Sequence, residues 1–186
     1  MISLDSNHVY HDESGVEIPG VTTVLKDVGL IDTTWFTKYA RDRGTAVHLA
    51  CALYDRDDLD ESSIHPDVEP YLQGWIRFKR ESGFVPELIE EKVRSETYGY
   101  AGTLDRTGML NGRRVLLDLK SGAPQPWTAI QTAAYSGCFG HLLKRYAVAV
   151  KDNGSYQLTE YRDRNDWQVW LACLALRNWK HNGGVK

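Results

Sequence analysis

Apolar residues recur at helical spacing between about residues 19 and 83, and from Leu88 to about Lys120 they alternate with a period of two. Residues 7–18 alternate loosely around Glu13-Ser14-Gly15, which predicts a short hairpin. Pro19 to Leu25 opens a short helix, with Thr22 or Thr23 as its cap. Thr33 or Thr34 is the expected N-cap of a long helix running to about Tyr54, with Trp35, Tyr39, Ala46, Leu49 and Leu53 as its apolar face. Pro66 begins another helix that buries Leu72, Trp75, Ile76 and Phe78 and stops near Gly83. Ile89, Glu91 and Val93 then alternate with Glu90, Lys92 and Arg94, predicting strands over about 87–96, 99–110 and 113–120. A helix at about 126–140, strands at Arg145–Lys151 and Tyr156–Arg162, and a last helix from about Asp163 to His181 complete the chain. Trp167, Trp170, Leu171, Leu174 and Trp179 mark the last helix's apolar side. This order predicts an α/β fold with one mixed central sheet flanked by helices.

The 186 residues favour one domain, 1–186, with a hairpin-and-helix part over 1–83, a sheet-and-helix part over 84–140 and closing strands and helix over 141–186. Hydrophobic residues make up 42% and charged residues 25%, as expected for a globular chain that does not enter a membrane. The first residues lack the apolar stretch of a signal peptide, so a cytoplasmic protein is expected. Three scattered cysteines, Cys51, Cys138 and Cys173, fit a reducing compartment and form no CxxC pair for zinc or an iron–sulfur cluster. A net charge of −3 argues against a protein that coats nucleic acid, yet carboxylates gathered around a metal would give the same balance. Lys38-Arg41-Arg43 and Arg77-Lys79-Arg80 are local basic patches, each more simply a solvated helix face.

The chemistry concentrates around Asn111-Gly112, the strongest short hairpin signal in the chain. If those two residues form the loop, Leu110 pairs with Arg113, Leu104 with Leu119, and Asp105 with Asp118. Opposed carboxylates would stand about 5 Å apart and repel. Lys120, two residues beyond Asp118, shares its face. A divalent cation would turn that repulsion into attraction, and the lysine could orient or deprotonate a water and stabilise charge on phosphate. An exposed hairpin with a neutralising lysine is the plainer alternative. His48 lies one turn after Gly44 and could ligate a metal or contact phosphate; on its own it reads better as a half-buried packing residue. Gln131 and Tyr135 share a helix face and could hold Lys120 or the substrate, or simply pack against the sheet.

The ordered set Gly44-x-x-x-His48, Ile89-Glu90, Gly102-Thr103-Leu104-Asp105, Asp118-x-Lys120 and Gln131-x-x-x-Tyr135 resembles the PD-(D/E)XK nuclease superfamily in its RecB-like exonuclease branch. The stretches around Glu90 and Asp105, and Pro19-x-Val21-Thr22, are most similar to the mitochondrial genome maintenance exonuclease group and its phage relatives. The resemblance covers about residues 19–136 and implies an αβββαβ core of the restriction-endonuclease type. It implies Mg²⁺ or Mn²⁺ held by His48, Asp105, Asp118 and the carbonyl of Leu119, with Lys120 assisting the attacking water. Glu90 matches an acid of less settled role, a second-metal ligand or a residue behind the ligands; Gln131 and Tyr135 would hold the lysine and substrate. The second acid is aspartate rather than glutamate, which the branch accepts, and the clustered cysteines of some relatives are lacking. The expected activity is a deoxyribonuclease, an exonuclease acting on DNA ends or single strands in phage or bacterial recombination or repair. A homo-oligomer or a phage recombination partner is compatible with it. A structure-specific or nicking endonuclease and a catalytically inactive DNA-binding or assembly module are the alternatives.

Overall fold

A computed structural model describes residues 2–32, 34, 37–140 and 143–184. Its central sheet has five strands in the order β4-β5-β6-β7-β8: Val85–Ser95, Tyr100–Leu110, Arg113–Lys120, Lys144–Val150 and Tyr156–Tyr161. Only the β6–β7 pairing is parallel, and helix α4, Trp127–Gly137, makes the crossover between those strands. The sheet is therefore mixed, as expected. Helices α2 (Lys38–Asp55) and α3 (Glu69–Ser82) cover one face; α1 (Val21–Asp27), α4 and α5 (Asn165–Trp179) cover the other. The run α3-β4-β5-β6-α4-β7 has the αβββαβ order.

Strand β6 reads Val115-Leu116-Leu117-Asp118-Leu119 without alternation because it is buried on both faces. Val115, Leu117 and Leu119 pack with Val47, Cys51, Leu72, Trp75 and Phe78 on one side, and Leu116 packs with Leu25, Ala134 and Trp170 on the other. Asn111 and Gly112 both have positive φ, 51° and 71°, the backbone of the predicted two-residue turn. Leu110 pairs with Arg113 as counted from that turn.

Several boundaries differ from expectation. The N-terminal hairpin gains a strand: β1 (Ser3–Leu4), β2 (Tyr10–His11) and β3 (Glu17–Ile18) form a small sheet. It packs on Ala101 through Tyr10 and Ile18. Thr22 and Thr23 lie inside α1, whose N-cap position is Gly20 with no side-chain bond. Helix α2 starts at Lys38, capped by Thr37, whose side chain accepts from the Ala40 N–H. The cap is not Thr34; Thr33 and Trp35 lie outside the described residues. The buried face of α2 is Val47, Ala50, Cys51 and Ala52, whereas Tyr39 and Leu49 are exposed. Small residues face the sheet there because α2 lies close to it. Helix α3 begins at Glu69, after Pro66, and ends on Gly83 at φ 68°. Trp179 is exposed, so the apolar side of α5 ends with Trp170, Cys173 and Leu174. In the patch Arg77-Lys79-Arg80, Arg77 pairs with Glu81 and Lys79 with Asp55, which are structural contacts.

Strand β5 turns over midway. Tyr100 and Leu104 belong to the α1/α4/α5 side, yet Leu110, of the same parity, packs under α2 and α3, and Arg106 reaches Asp55 and Trp75 there. The reversal falls at Asp105. Arg106 is fully buried: its Nε donates to Asp55 Oδ2 at 2.7 Å and its Nη1 to Glu90 Oε1 at 2.9 Å. Asp55 also accepts from Trp75 Nε1 and Lys79 Nζ. Removing the guanidinium leaves a buried carboxylate short of a cation, so Arg106→Ala should lower unfolding free energy in urea by about 3–5 kcal/mol. A loss below about 1 kcal/mol would show that this network does not hold α2 to the sheet.

Candidate active site

Asp105 sits where the sheet forks. The β5–β6 ladder runs from Leu110↔Arg113 to Arg106↔Leu117 and stops; the expected Asp105↔Asp118 and Leu104↔Leu119 pairs do not form. On the other side, β4 pairs through Ile89↔Arg106 and Glu91↔Leu104 but skips Glu90 and Asp105. Glu90 has φ 51°, a left-handed backbone that a non-glycine residue adopts at a cost of roughly 1–2 kcal/mol. Two strands are thus distorted at one level, and both distorted residues are acids. The Asp105 carboxylate spans the fork: its Oδ2 accepts the Leu119 N–H at 2.7 Å.

His48, from α2, closes the group. Its Nδ1 lies 3.4 Å from Glu90 Oε1 and 3.6 Å from Asp105 Oδ1. One ligand atom from each of His48, Glu90 and Asp105 falls within 4.8 Å of the others. Asp118 and Lys120 stand beside them as an ion pair of 2.7 Å. The Asp118 oxygen in that contact, Oδ2, is buried, and the Lys120 ammonium is its charged neighbour. Lys120 Nζ also donates to Gln131 Oε1 at 3.4 Å, and Gln131 Nε2 donates to the Tyr135 hydroxyl at 3.2 Å. Tyr135 lies against Gly102, where a Cβ would come 2.5 Å from its Cε1. The structure therefore brings together His48, Glu90, Asp105, Asp118, Lys120, Gln131 and Tyr135, and Leu119 joins through its N–H.

Burial and charge act in opposite directions here. Burial raises the Asp118 carboxyl from its ordinary 3.8 to about 6, although Lys120 pulls it back. Burial also pushes Glu90 up, but hydrogen bonds and charge from His48 and Arg106 outweigh that and hold it below its usual range. For His48, burial lowers the pKa, but the negative charges of Asp105 and Glu90 and the hydrogen bond to Glu90 outweigh it, so the net shift is upward. Burial lowers Lys120 too, but Asp118 and Asp105 more than compensate. Lys120 therefore holds its proton more firmly than a free lysine does. Burial keeps Tyr135 protonated.

No protein-family model matches this chain, and no curated protein matches it in sequence. Solved structures do match. An inferred exonuclease from Eubacterium rectale superposes with a TM-score of 0.62 at 13% identity, covering 100% of this chain and 89% of that one. LHK-Exo in complex with dAMP superposes at 0.53 and 15% identity, covering 90% of this chain and 89% of that one. The chain shares their fold.

The sequence did not single out Arg106 and Asp55, which brace Glu90 from behind. The available signal was an arginine on the parity of Leu104 and Leu110, positions that the hairpin count makes apolar.

The donors suit a hard divalent cation: carboxylate oxygens and one imidazole from His48, Glu90 and Asp105. Without a cation, the folded protein holds the Asp118 proton up to about pH 6 while the unfolded chain releases it near its ordinary 3.8. Stability contributed by this group is thus lost as pH rises through that window. In chelator, thermal melts across pH should show wild-type protein losing stability between about pH 4 and pH 6 relative to Asp118→Asn, which lacks this titration, whatever constant offset the unmatched Lys120 adds. The same pH dependence in the two proteins would contradict the charge assignment.

Proposed function

We propose that this chain is a Mg²⁺- or Mn²⁺-dependent deoxyribonuclease hydrolysing phosphodiester bonds. The observation that carries the reading is the convergence of His48, Glu90 and Asp105 within 4.8 Å, beside the Asp118–Lys120 pair, at the fork of the sheet. The fold shared with two proteins named as exonucleases supports it, as does the dAMP bound to one of them. On this reading Asp105, Asp118, His48 and the Leu119 carbonyl hold the cation, and Glu90 joins them or orients His48. When bound, such an ion supplies Lewis-acid stabilisation of charge on the phosphoryl oxygens. Lys120 donates from its ammonium to a phosphate oxygen where charge builds, and is a hydrogen-bond donor to a water on the same face. Gln131 fixes the Lys120 ammonium, and Tyr135 fixes Gln131. Arg106 holds Glu90 ionised and in place from the opposite side.

We further propose an exonuclease acting on DNA ends or single strands in phage or bacterial recombination or repair. The resemblance of the Asp105, Asp118-x-Lys120 and Gln131-x-x-x-Tyr135 motifs to the RecB-like branch supports this. Among the described residues, no helix is long and apolar enough to cross a membrane. The test uses single- and double-stranded DNA labelled at either end, together with closed circular DNA, in Mg²⁺, Mn²⁺ or chelator. Cleavage should require the metal and proceed from ends, sparing the closed circle. Lys120→Ala should lower the rate roughly 10²–10³-fold with DNA binding retained. Nicking of the circle would instead identify an endonuclease, and absence of cleavage an inactive binding module. Undiminished cleavage by Lys120→Ala would remove the lysine from its role.

A further inference from the structure

A cavity of about 280 Å³ opens beside Lys120 and is lined by none of His48, Glu90, Asp105 and Asp118. Arg43, Lys120, Gln125 and Trp127 line it, with Gly122 and Ala123. Trp127 is the first residue of α4 and half-buried. It packs against the α1/α4/α5 core, which fixes its ring, and it also borders the cavity. The Lys120 ammonium lies over the indole, 5.5 Å from the ring centroid, so it covers part of one face and makes the aromatic side chain and the site neighbours.

Arg43 is equally fixed. Its guanidinium stands 5.1 Å from the Tyr71 ring and 5.7 Å from the Tyr39 ring, and Nη2 donates to the Ser121 carbonyl at 3.4 Å. A guanidinium suits a phosphate oxygen, and an indole suits the flat face of a base.

We propose that this cavity takes one unpaired nucleotide of the substrate strand, its base against Trp127 and its phosphate toward Arg43, next to the phosphodiester at Asp105 and Lys120. The proposal rests on the nuclease reading for its substrate and adds what that reading lacks, a reason for the strand to be single at the point of attack. The volume matches one nucleotide better than a base pair. A second hollow of about 690 Å³, bordered by Tyr71, Lys151 and Tyr161, shares Ser121, Gly122 and Ala123 with the first. The strand can therefore continue across the same loop. A duplex end must fray by at least one nucleotide before it fits, so a single-stranded overhang is the favoured end and a blunt end the poorer one.

Binding is measured in chelator, where no turnover occurs, by fluorescence anisotropy of a labelled dT₁₂ and of a series carrying one abasic site at each position in turn. Wild-type protein should lose affinity roughly tenfold when the abasic site falls at one particular position, and Trp127→Ala should lose about as much on intact dT₁₂. Trp127→Ala should then be indifferent to the abasic site, and Trp127→Phe should recover most of the affinity. Additive losses, or a Trp127→Ala protein that binds dT₁₂ as wild type does, would overturn the subsite. Because wild-type protein alone also reports on the abasic series, a flat response across all positions overturns it even if Trp127→Ala fails to fold. Non-additivity without metal-dependent cleavage would leave the subsite standing and sink the nuclease reading; cleavage indifferent to Trp127 would do the reverse.

Discussion

Asp105 cannot be paired on either side, and the rest of the site follows from that. A residue inside an antiparallel sheet ordinarily gives its backbone groups to its neighbours and sends its side chain to one face. Here β5 reverses its faces at Asp105, β4 answers with a left-handed Glu90, and β6 parts from β5 after Leu117. The carboxylate takes over part of the backbone's task by accepting the Leu119 N–H. The same break opens the place where α2 can bring His48 to the two acids. Distortion of this kind persists only where the surroundings over-determine it. Arg106 does that here, tying Glu90 and Asp55 together beneath the break and donating to the Asp105 carbonyl as well.

Electrostatics decide what the break can hold. Three acids with one lysine and one histidine, largely out of water, oppose folding unless their charges are matched. Lys120 matches Asp118, and Arg106 with His48 matches Glu90. Asp118 nevertheless retains its proton up to about pH 6, so its neighbours do not offset its burial completely. A doubly charged cation among the same oxygens would supply the missing charge and invert the preference of each carboxyl for its proton. The helix behind the lysine serves the same end: Gln131 and Tyr135 are four residues apart on α4, which lines them up toward Lys120.

Much of this was legible in the residues. Asn111-Gly112 set the hairpin register correctly from Leu110↔Arg113 to Arg106↔Leu117, and the sheet and helix order followed from periodicity. Extending the count to Asp105↔Asp118 failed because a ladder count assumes flat continuity, and no local pattern announces that a strand turns over. Glu90 showed the same limit, since a left-handed backbone at a glutamate has no signature in alternation. The start of α2 was misplaced because Thr33, Thr34 and Thr37 are all good caps and only packing selects among them. Its face was misread because the large residues Tyr39 and Leu49 point outward while Val47, Ala50 and Cys51 meet the sheet. Gln131 and Tyr135 were recognisable from spacing, whereas Arg106 needed the fold to show that an arginine could be wholly buried.

If the Asp105 break seats a divalent cation, calorimetric titration of the protein with MnCl₂ detects it without reference to any substrate. Wild-type protein should bind Mn²⁺ saturably, and Asp105→Asn, with its fold intact by circular dichroism, should bind it roughly tenfold more weakly or worse. Equal affinity in the two proteins, or no binding by wild type at millimolar Mn²⁺, would contradict it.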